Sequence, residues 1–199
     1  MPRPSLHFSQ ATGFPASCYA VMQRELARSY RIGAIEAIGT DPRYPVTESW
    51  PLLVEQLIAT LEHDYRGEPV FGVGHSLGGY LTFLAAARRP GLFRAIVMLD
   101  APLFGAIRGG LLGAVKRIGI FDRGTPAGAT RDRRAEWDSR EDAKANFHGR
   151  KLFRSFAPEC LDDYVRHALV RNEDRFRLKI DPAIEPQIYR TVPHHMHRQ

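Results

Sequence analysis

Short apolar runs alternate with helical patterns through the first hundred residues of the chain. Each run is bounded by turn residues, which predicts strands over residues 5–9, 32–38, 69–73 and 95–99. One helix is predicted over about 17–30. A second is predicted to begin at Pro51, with Ser49 as its N-cap. A third is predicted to follow the run 69–73 and to end at about Arg89. Because the runs are continuously apolar rather than alternating, they are typical of parallel strands covered on both faces. The pattern therefore predicts an α/β fold with a mostly parallel sheet flanked by helices.

From Ala101 to about Val192 the pattern is helical and basic, with few signals for parallel strands. Ser139 is predicted to cap one helix, and Pro158 is predicted to open another. A strand is predicted over 175–180, and a short helix follows over 182–190. This part of the chain is therefore expected to be mainly helical.

The composition bounds the class of protein. With 199 residues, 44% hydrophobic and 25% charged, the chain has the size and composition of one soluble globular domain, with or without an insertion. No apolar stretch approaches the roughly 18 residues of a membrane span, and the N-terminus lacks the apolar region of a signal peptide. Cys18 and Cys160 lie far apart and without metal-ligand spacing, so we expect reduced thiols and a cytoplasmic location.

The formal net charge of +6 comes mostly from arginine. Basic residues gather between Arg108 and Arg154, but acidic residues such as Glu136 and Asp142 interrupt them. This mixed pattern indicates a solvated surface with ion pairs rather than the one-sided stripe of a nucleic-acid-binding face. We therefore expect no nucleic-acid partner, while steering of an anionic substrate stays open.

The sequence Gly74-His75-Ser76-Leu77-Gly78 stands between an apolar run and a helical pattern. G-x-S-x-G in this strand–turn–helix setting predicts a nucleophile elbow, which holds a serine hydroxyl above the end of a sheet. Gly74 and Gly78 suit such a turn because a Cβ at either position would collide with neighbouring backbone, while Ser76 takes a strained conformation. The alternative is a glycine-rich phosphate loop, but G-x-G-x-x-G would need glycine where Leu77 stands.

A second loop, at Gly13 and Phe14, is expected at the same sheet edge as Ser76. The reason is that ligands bind at the carboxyl ends of parallel strands. Acyl transfer needs two preorganised N–H donors for the negative oxygen of its tetrahedral intermediate. The Leu77 N–H and the Phe14 N–H are the predicted donors of this oxyanion hole. A serine nucleophile also needs a histidine base held by an acid.

Four stretches of the sequence resemble a known superfamily. Residues 7–16 and 74–80 resemble the α/β-hydrolase superfamily, and residues 41–46 and 99–102 resemble bacterial members of its esterase-like branch. One departure is Thr12, because members usually carry histidine before the glycine of the oxyanion loop. That histidine transfers no proton, so we expect Thr12 to alter hydrogen bonding within the loop and not to abolish the chemistry.

The resemblance implies a division of the chain and a reaction. It implies an α/β-hydrolase core over 1–101, a helical cap over 102–192, and a tail, 193–199, leading towards core strands that the chain lacks. The reaction would be hydrolysis of a carboxylic ester or related small-molecule acyl compound through a Ser76 acyl-enzyme. No metal and no cofactor are implied.

Family triads run in the order Ser, acid, His. The last two usually follow core strands after the cap, whereas this sequence stops where it would re-enter the sheet. We therefore expect a C-terminally truncated hydrolase of weak activity. Asp100 stands where some branches place their acid, and the candidate bases in the tail are His194, His195 and His197.

His75 is expected to pack against or orient the elbow, and His63, His148 and His167, on predicted helices, are expected to be surface or packing residues. Two alternatives to a weak hydrolase stay open. One is a catalytically inactive binding protein that keeps the fold. The other is a fragment whose missing strands and histidine come from a partner chain, which would leave the strand 95–99 as an uncovered edge open to self-association.

Overall fold

The computed structural model describes residues 2–102 and 134–193. The first range forms β1 (Ser5–Ser9), a 3₁₀ helix (Ala16–Tyr19), α1 (Ala20–Leu26), β2 (Arg31–Ala34), α2 (Pro51–Asp64), β3 (Val70–His75), α3 (Leu77–Arg88), a 3₁₀ turn (Pro90–Leu92) and β4 (Phe93–Leu99). The second range forms β5 (Glu136–Trp137), α4 (Arg140–His148), a 3₁₀ helix (Lys151–Ser155), α5 (Pro158–His167), β6 (Leu169–Asn172), β7 (Arg175–Leu178) and α6 (Ile184–Arg190). No helix in these two ranges is long and apolar enough to cross a membrane.

The main sheet has four parallel strands in the order β2-β1-β3-β4, which confirms the predicted α/β architecture. Phe8 pairs with Val73, and Val73 pairs in turn with Val97, so the carboxyl ends of β1, β3 and β4 lie side by side. The loop after β1 and the turn after β3 therefore meet at one edge, where the Ser76 motif was expected.

A buried cluster joins the sheet to α2 and α3. Leu53, Leu57 and Leu81 are each at most 1% exposed and pack in the same cluster as Val70 of β3. Leu53 and Leu57 are spaced along α2 at the helical period, so one face of this helix is buried in the cluster, against α3. This cluster holds α3 under the turn that carries Ser76.

The second range contains a three-stranded antiparallel sheet in the order β5-β7-β6. The expectation of a mainly helical segment was therefore incomplete, and the strand predicted over 175–180 ends at Leu178. The sequence pattern does not reveal β6, because a single residue separates this strand from the end of α5. Its only buried residue, Leu169, therefore continues the apolar pattern of the helix. Two-residue β5 is too short to leave a periodic signal. Of the implied 102–192 segment, residues 103–133 lie outside the described part of the chain.

Three predicted boundaries in the first range were wrong. The strand predicted over 32–38 ends at Ala34, and the helix predicted over 17–30 is a 3₁₀ turn followed by α1. The cap of α2 is Trp50 in a left-handed conformation rather than Ser49, and no side chain caps the helix. The reason is tertiary, since the Ser49 N–H donates to the Thr191 carbonyl at 2.9 Å and the Trp50 indole donates to the Thr191 hydroxyl at 2.9 Å.

Strand β4 forms one edge of the main sheet within the described residues. Its outer surface carries exposed apolar side chains, with Val97 50% and Leu99 39% exposed. The uncovered edge expected at 95–99 is therefore present in the described structure, and it starts two residues earlier, at Phe93.

Candidate active site

Ser76 occupies the turn between β3 and α3. Its backbone angles, φ 51° and ψ −116°, lie in a region that residues other than glycine rarely adopt. The Ser76 N–H donates to the Leu99 carbonyl at 2.9 Å, which ties the turn to the end of β4. The predicted strand–turn–helix setting and the strained serine are both present, and the side chain is partly exposed to solvent.

The two glycines of the motif allow backbone to pack directly on backbone. A Cβ on Gly74 would collide with the carbonyl group of Gly78, and a Cβ on Gly78 would collide with the carbonyl group of Ser9. The Gly78 N–H also donates to the Gln10 carbonyl at 3.1 Å. The turn is therefore held against the end of β1, next to the predicted oxyanion loop.

Ser76 lines a cavity of about 670 Å³ between the sheet edge and the second range of the chain. Five residues that the sequence analysis placed at or near the site line this cavity, namely Thr12, Phe14, His75, Ser76 and Asp100. The 3₁₀ helix Lys151–Ser155, α5 and α6 close the other side with Leu152, Ser155, Phe156, Ala157, Cys160, Glu185 and Tyr189. The remaining lining residues are Ala11, Cys18, Tyr19, Val21, Met22 and Glu25.

The two predicted oxyanion donors differ in their present hydrogen bonding. Leu77 is the first residue of α3, where backbone N–H groups have no partner within the helix and carry partial positive charge. The Phe14 N–H instead donates to the Ala11 carbonyl at 3.3 Å, a long hydrogen bond. Phe14 would therefore have to share or exchange this bond to stabilise an oxyanion.

Asp100 directly follows Leu99, the residue whose carbonyl holds Ser76. Its backbone is also left-handed, with φ 48°, and its side chain is exposed at the rim of the cavity. Burial lowers the pKa of His75, and the negative charge of Asp100 opposes that effect. The two side chains are thus electrostatic neighbours, although no hydrogen bond joins Asp100 to any histidine within the described ranges.

Five histidines lie in the described ranges, and of these His75 alone lines the cavity. Its Nδ1 lies 2.7 Å from the Tyr19 hydroxyl. His63 is exposed beside Asp64, His148 is exposed, and His167 is partly exposed at the end of α5. The tail candidates His194, His195 and His197 lie outside the described residues. Within the described part of the chain, no histidine is hydrogen-bonded to the Ser76 hydroxyl.

Sequence patterns did not point to several residues of the cavity wall. Tyr19 falls within the helix predicted over 17–30, and Glu185 and Tyr189 fall within the helix predicted over 182–190. The approach of Glu185 and Tyr189 to the cavity depends on how α6 packs against the loop after β1, where the Glu185 carboxylate lies next to Gly13. Within residues 2–102 and 134–193, no three His, Cys, Asp or Glu side chains are grouped so that they could hold a metal ion.

Comparisons with known proteins agree with this architecture. A model of the alpha/beta hydrolase family matches residues 6–196. The chain is 46% identical over 47 residues to monoglyceride lipase from Homo sapiens, covering 24% of this chain and 16% of that protein. It is 31% identical over 118 residues to abhydrolase domain-containing protein AFT2-1 from Alternaria alternata, covering 58% of this chain and 39% of that protein.

Among solved structures, E-2-(acetamidomethylene)succinate hydrolase superposes with a TM-score of 0.72 at 16% sequence identity, covering 96% of this chain and 66% of that one. A likeness at this identity shows the fold alone. The matched regions span less than two thirds of the length of the curated relatives. The family match runs through nearly the whole sequence, and the parallel sheet agrees with it. The chain therefore belongs to the alpha/beta hydrolase family.

Proposed function

We propose that this protein is a serine hydrolase that attacks a carboxylic ester or related acyl compound with Ser76. The observation that carries the proposal is the strained Ser76 at the start of α3, on the wall of a 670 Å³ cavity. Nucleophile elbows store this kind of backbone strain to present the hydroxyl to a substrate. The family membership of the chain and the names of its lipase and hydrolase relatives support the same reaction class.

The proposed reaction proceeds in two steps. Ser76 Oγ attacks the carbonyl carbon, the carbonyl oxygen becomes negative, and the N–H groups of Leu77 and Phe14 stabilise it. The bond to the leaving alcohol then breaks as the alcohol takes the proton that the Ser76 hydroxyl has given up, which leaves an acyl-enzyme. Water releases the acid and returns a proton to Ser76.

Proton transfer limits the rate in this proposal. None of the described histidines bonds to Ser76 Oγ, so the conformation described here supplies nucleophile and oxyanion donors without a general base. We therefore propose weak turnover, with Asp100 as a candidate acid. Enzymes that lack a triad member retain roughly 10³–10⁴-fold acceleration over water from the oxyanion hole and from binding.

The residues that close the cavity over Ser76 support the assignment of a cap. Leu152, Phe156 and Ala157 face the sheet edge across the cavity. We propose that residues 134–193 form part of that cap and that the apolar portion of an acyl substrate lies against these side chains. We propose the substrate as a chemical class, because the names of the similar proteins mention different compounds.

Labelling with a fluorophosphonate probe tests the nucleophile. We expect covalent modification at Ser76, identified by peptide mass spectrometry, and its loss in Ser76→Ala. Ser155→Ala is the matched control, because Ser155 lines the same cavity without lying in the elbow. A probe that leaves Ser76 unmodified in the wild-type chain would contradict the proposal and favour a non-catalytic binding protein.

We further propose that the edge strand β4 mediates self-association. Exposed Val97 and Leu99 border a row of backbone groups that have no neighbouring strand within the described residues. Such an edge is a template for pairing with another strand. Pairing of two copies through β4 would cover these side chains.

A further inference from the structure

The Tyr19 hydroxyl lies between the two loops that the proposed reaction uses. It accepts a hydrogen bond from the Ala11 N–H at 3.3 Å, in the loop after β1. It also lies 2.7 Å from Nδ1 of His75, the residue before Ser76. Tyr19 belongs to neither loop, since it ends the 3₁₀ helix that precedes α1. One side chain therefore joins the oxyanion loop to the elbow.

The partners of this hydroxyl determine where its proton lies. A backbone N–H only donates, so the Tyr19 oxygen is the acceptor in the contact with Ala11. Within the described residues, His75 Nδ1 is the one acceptor that the hydroxyl reaches. The distance of 2.7 Å is typical of a hydroxyl donor. A Tyr19 O–H donated to His75 Nδ1 would place the imidazole proton on Nε2.

The direction of the pKa shifts agrees with this arrangement. Burial lowers the pKa of His75, which favours the neutral ring that can accept at Nδ1. Burial also raises the pKa of Tyr19, which keeps the phenol protonated as a donor. Both groups are then in the protonation states that the hydrogen bond requires near neutral pH.

Ala11 extends the connection to the predicted oxyanion donor. Its N–H donates to Tyr19, while its carbonyl accepts from the Phe14 N–H at 3.3 Å. The Phe14 ring also lies against the Tyr19 ring, with centroids 6.2 Å apart. The orientation of the Ala11 peptide groups thus affects the N–H that the oxyanion would need.

We propose that Tyr19 is a positioning residue, which holds His75 as its Nε2–H tautomer and aligns the oxyanion loop with the Ser76 elbow through Ala11. This rests on the proposed function of Ser76 and extends it to a residue outside both motifs. Tyr19 acts through Ala11 and His75 rather than by touching the reacting atoms. The aromatic ring packs 4.6 Å from the Phe8 ring between centroids, so phenylalanine can fill the same space without the hydroxyl.

The test compares Tyr19→Phe with wild type in the intact chain, with Tyr30→Phe as the control. Tyr30 packs on Phe71 and does not line the cavity. We expect Tyr19→Phe to slow fluorophosphonate labelling of Ser76 by about 10- to 100-fold, the range expected when reacting groups are misplaced by an ångström or less. Equal labelling rates in Tyr19→Phe and wild type would overturn the positioning role.

A nitrogen NMR spectrum of ¹⁵N-histidine-labelled protein provides a readout independent of activity. In wild type, His75 should show a protonated Nε2 and an Nδ1 shifted by an accepted hydrogen bond, with the signals assigned by their loss in His75→Gln. In Tyr19→Phe, the Nδ1 shift should disappear and the Ala11 amide should exchange about five to ten times faster. An unchanged Nδ1 signal would overturn the hydrogen bond itself.

The two readouts separate this proposal from the proposed function. A wild-type chain that never labels at Ser76 overturns the hydrolase assignment and the catalytic consequence of Tyr19. The Nδ1 signal then still decides whether Tyr19 holds His75. A labelled wild type with an unaffected Tyr19→Phe variant overturns the role of Tyr19 while leaving Ser76 as the nucleophile.

Discussion

Gly78, in the first turn of α3, lies directly against the carbonyl oxygen of Ser9 at the end of β1. This contact between two backbones brings the Ser76 elbow next to the loop that contains Phe14. A hydrogen bond from the Gly78 N–H to the Gln10 carbonyl also joins α3 to the loop after β1. The distance between nucleophile and oxyanion loop therefore depends on the absence of one Cβ.

We expect Gly78→Ala to destabilise the protein by about 2–3 kcal/mol, the cost of forcing extra atoms into a packed site. Alanine would otherwise favour a helix by about 1 kcal/mol over glycine, so a loss of stability reports the collision. Chemical denaturation measures the difference. Gly91→Ala is the control, because nothing lies within 4 Å of a Cβ there. Equal stabilities for the two variants would contradict the contact.

His7 predicts a pH dependence of stability. The side chain is 2% exposed, and burial lowers its pKa from 6.5 to about 4, opposed in part by Asp64. Between these pH values the unfolded chain binds a proton that the folded chain excludes, so stability rises with pH through this window. The contribution of neutral His7 to the free energy of unfolding is complete above pH 6.5 and is lost as the pH falls towards 4. This loss amounts to about 3 kcal/mol.

The free energy of unfolding measured by urea titration from pH 4 to pH 7 tests this dependence. His7→Gln should flatten the curve across the window, whatever its effect on the absolute stability. His63→Gln removes an exposed histidine and serves as the control. The assignment to His7 fails if His7→Gln keeps the wild-type slope.

Asp163 connects the second range of the chain to α1. Its carboxylate accepts from the Val21 N–H at 3.2 Å, in the first turn of a helix that has no side-chain cap of its own. We expect Asp163→Ala to cost about 0.5–2 kcal/mol in thermal or chemical unfolding, as for loss of a helix cap. The neighbouring Asp162→Ala removes an exposed ion pair with Lys144 and should cost less than about 1 kcal/mol. The reverse order would exclude Asp163 as a cap.

The edge strand β4 predicts a change in oligomeric state. Val97 is half exposed on this strand, whose outer side has no neighbouring strand within the described residues, so we expect Val97→Lys to lower the average mass measured by sedimentation equilibrium. Ala87→Lys adds the same charge at an exposed position of α3 and should leave the mass unchanged. A wild-type chain that is monomeric at all concentrations would refute self-association through β4.

Local patterns were sufficient to predict the parallel sheet and the placement of the Ser76 motif. The apolar run of β1 reflects burial on both faces, and that of β3 reflects one buried and one partly buried face. The glycine at position 78 reflects a backbone contact that tolerates no side chain. The apolar runs reflect a constraint that acts on every residue of a strand. The glycine belongs to the local G-x-S-x-G pattern, although the backbone that it contacts, at Ser9, is distant in sequence. The parallel architecture and the elbow turn could therefore be expected from the sequence alone.

Contacts between distant residues were decided only by the folded structure. Thr191 moves the cap of α2 from Ser49 to Trp50, and the hydroxyl of Tyr19 reaches His75 across 56 positions of sequence. Neither contact leaves a periodic signal, because each depends on the direction of a single side chain after the elements have packed. For the same reason, the His75 side chain lines the cavity while the His63 side chain lies at the surface: packing, rather than residue type, determines which histidine borders the cavity.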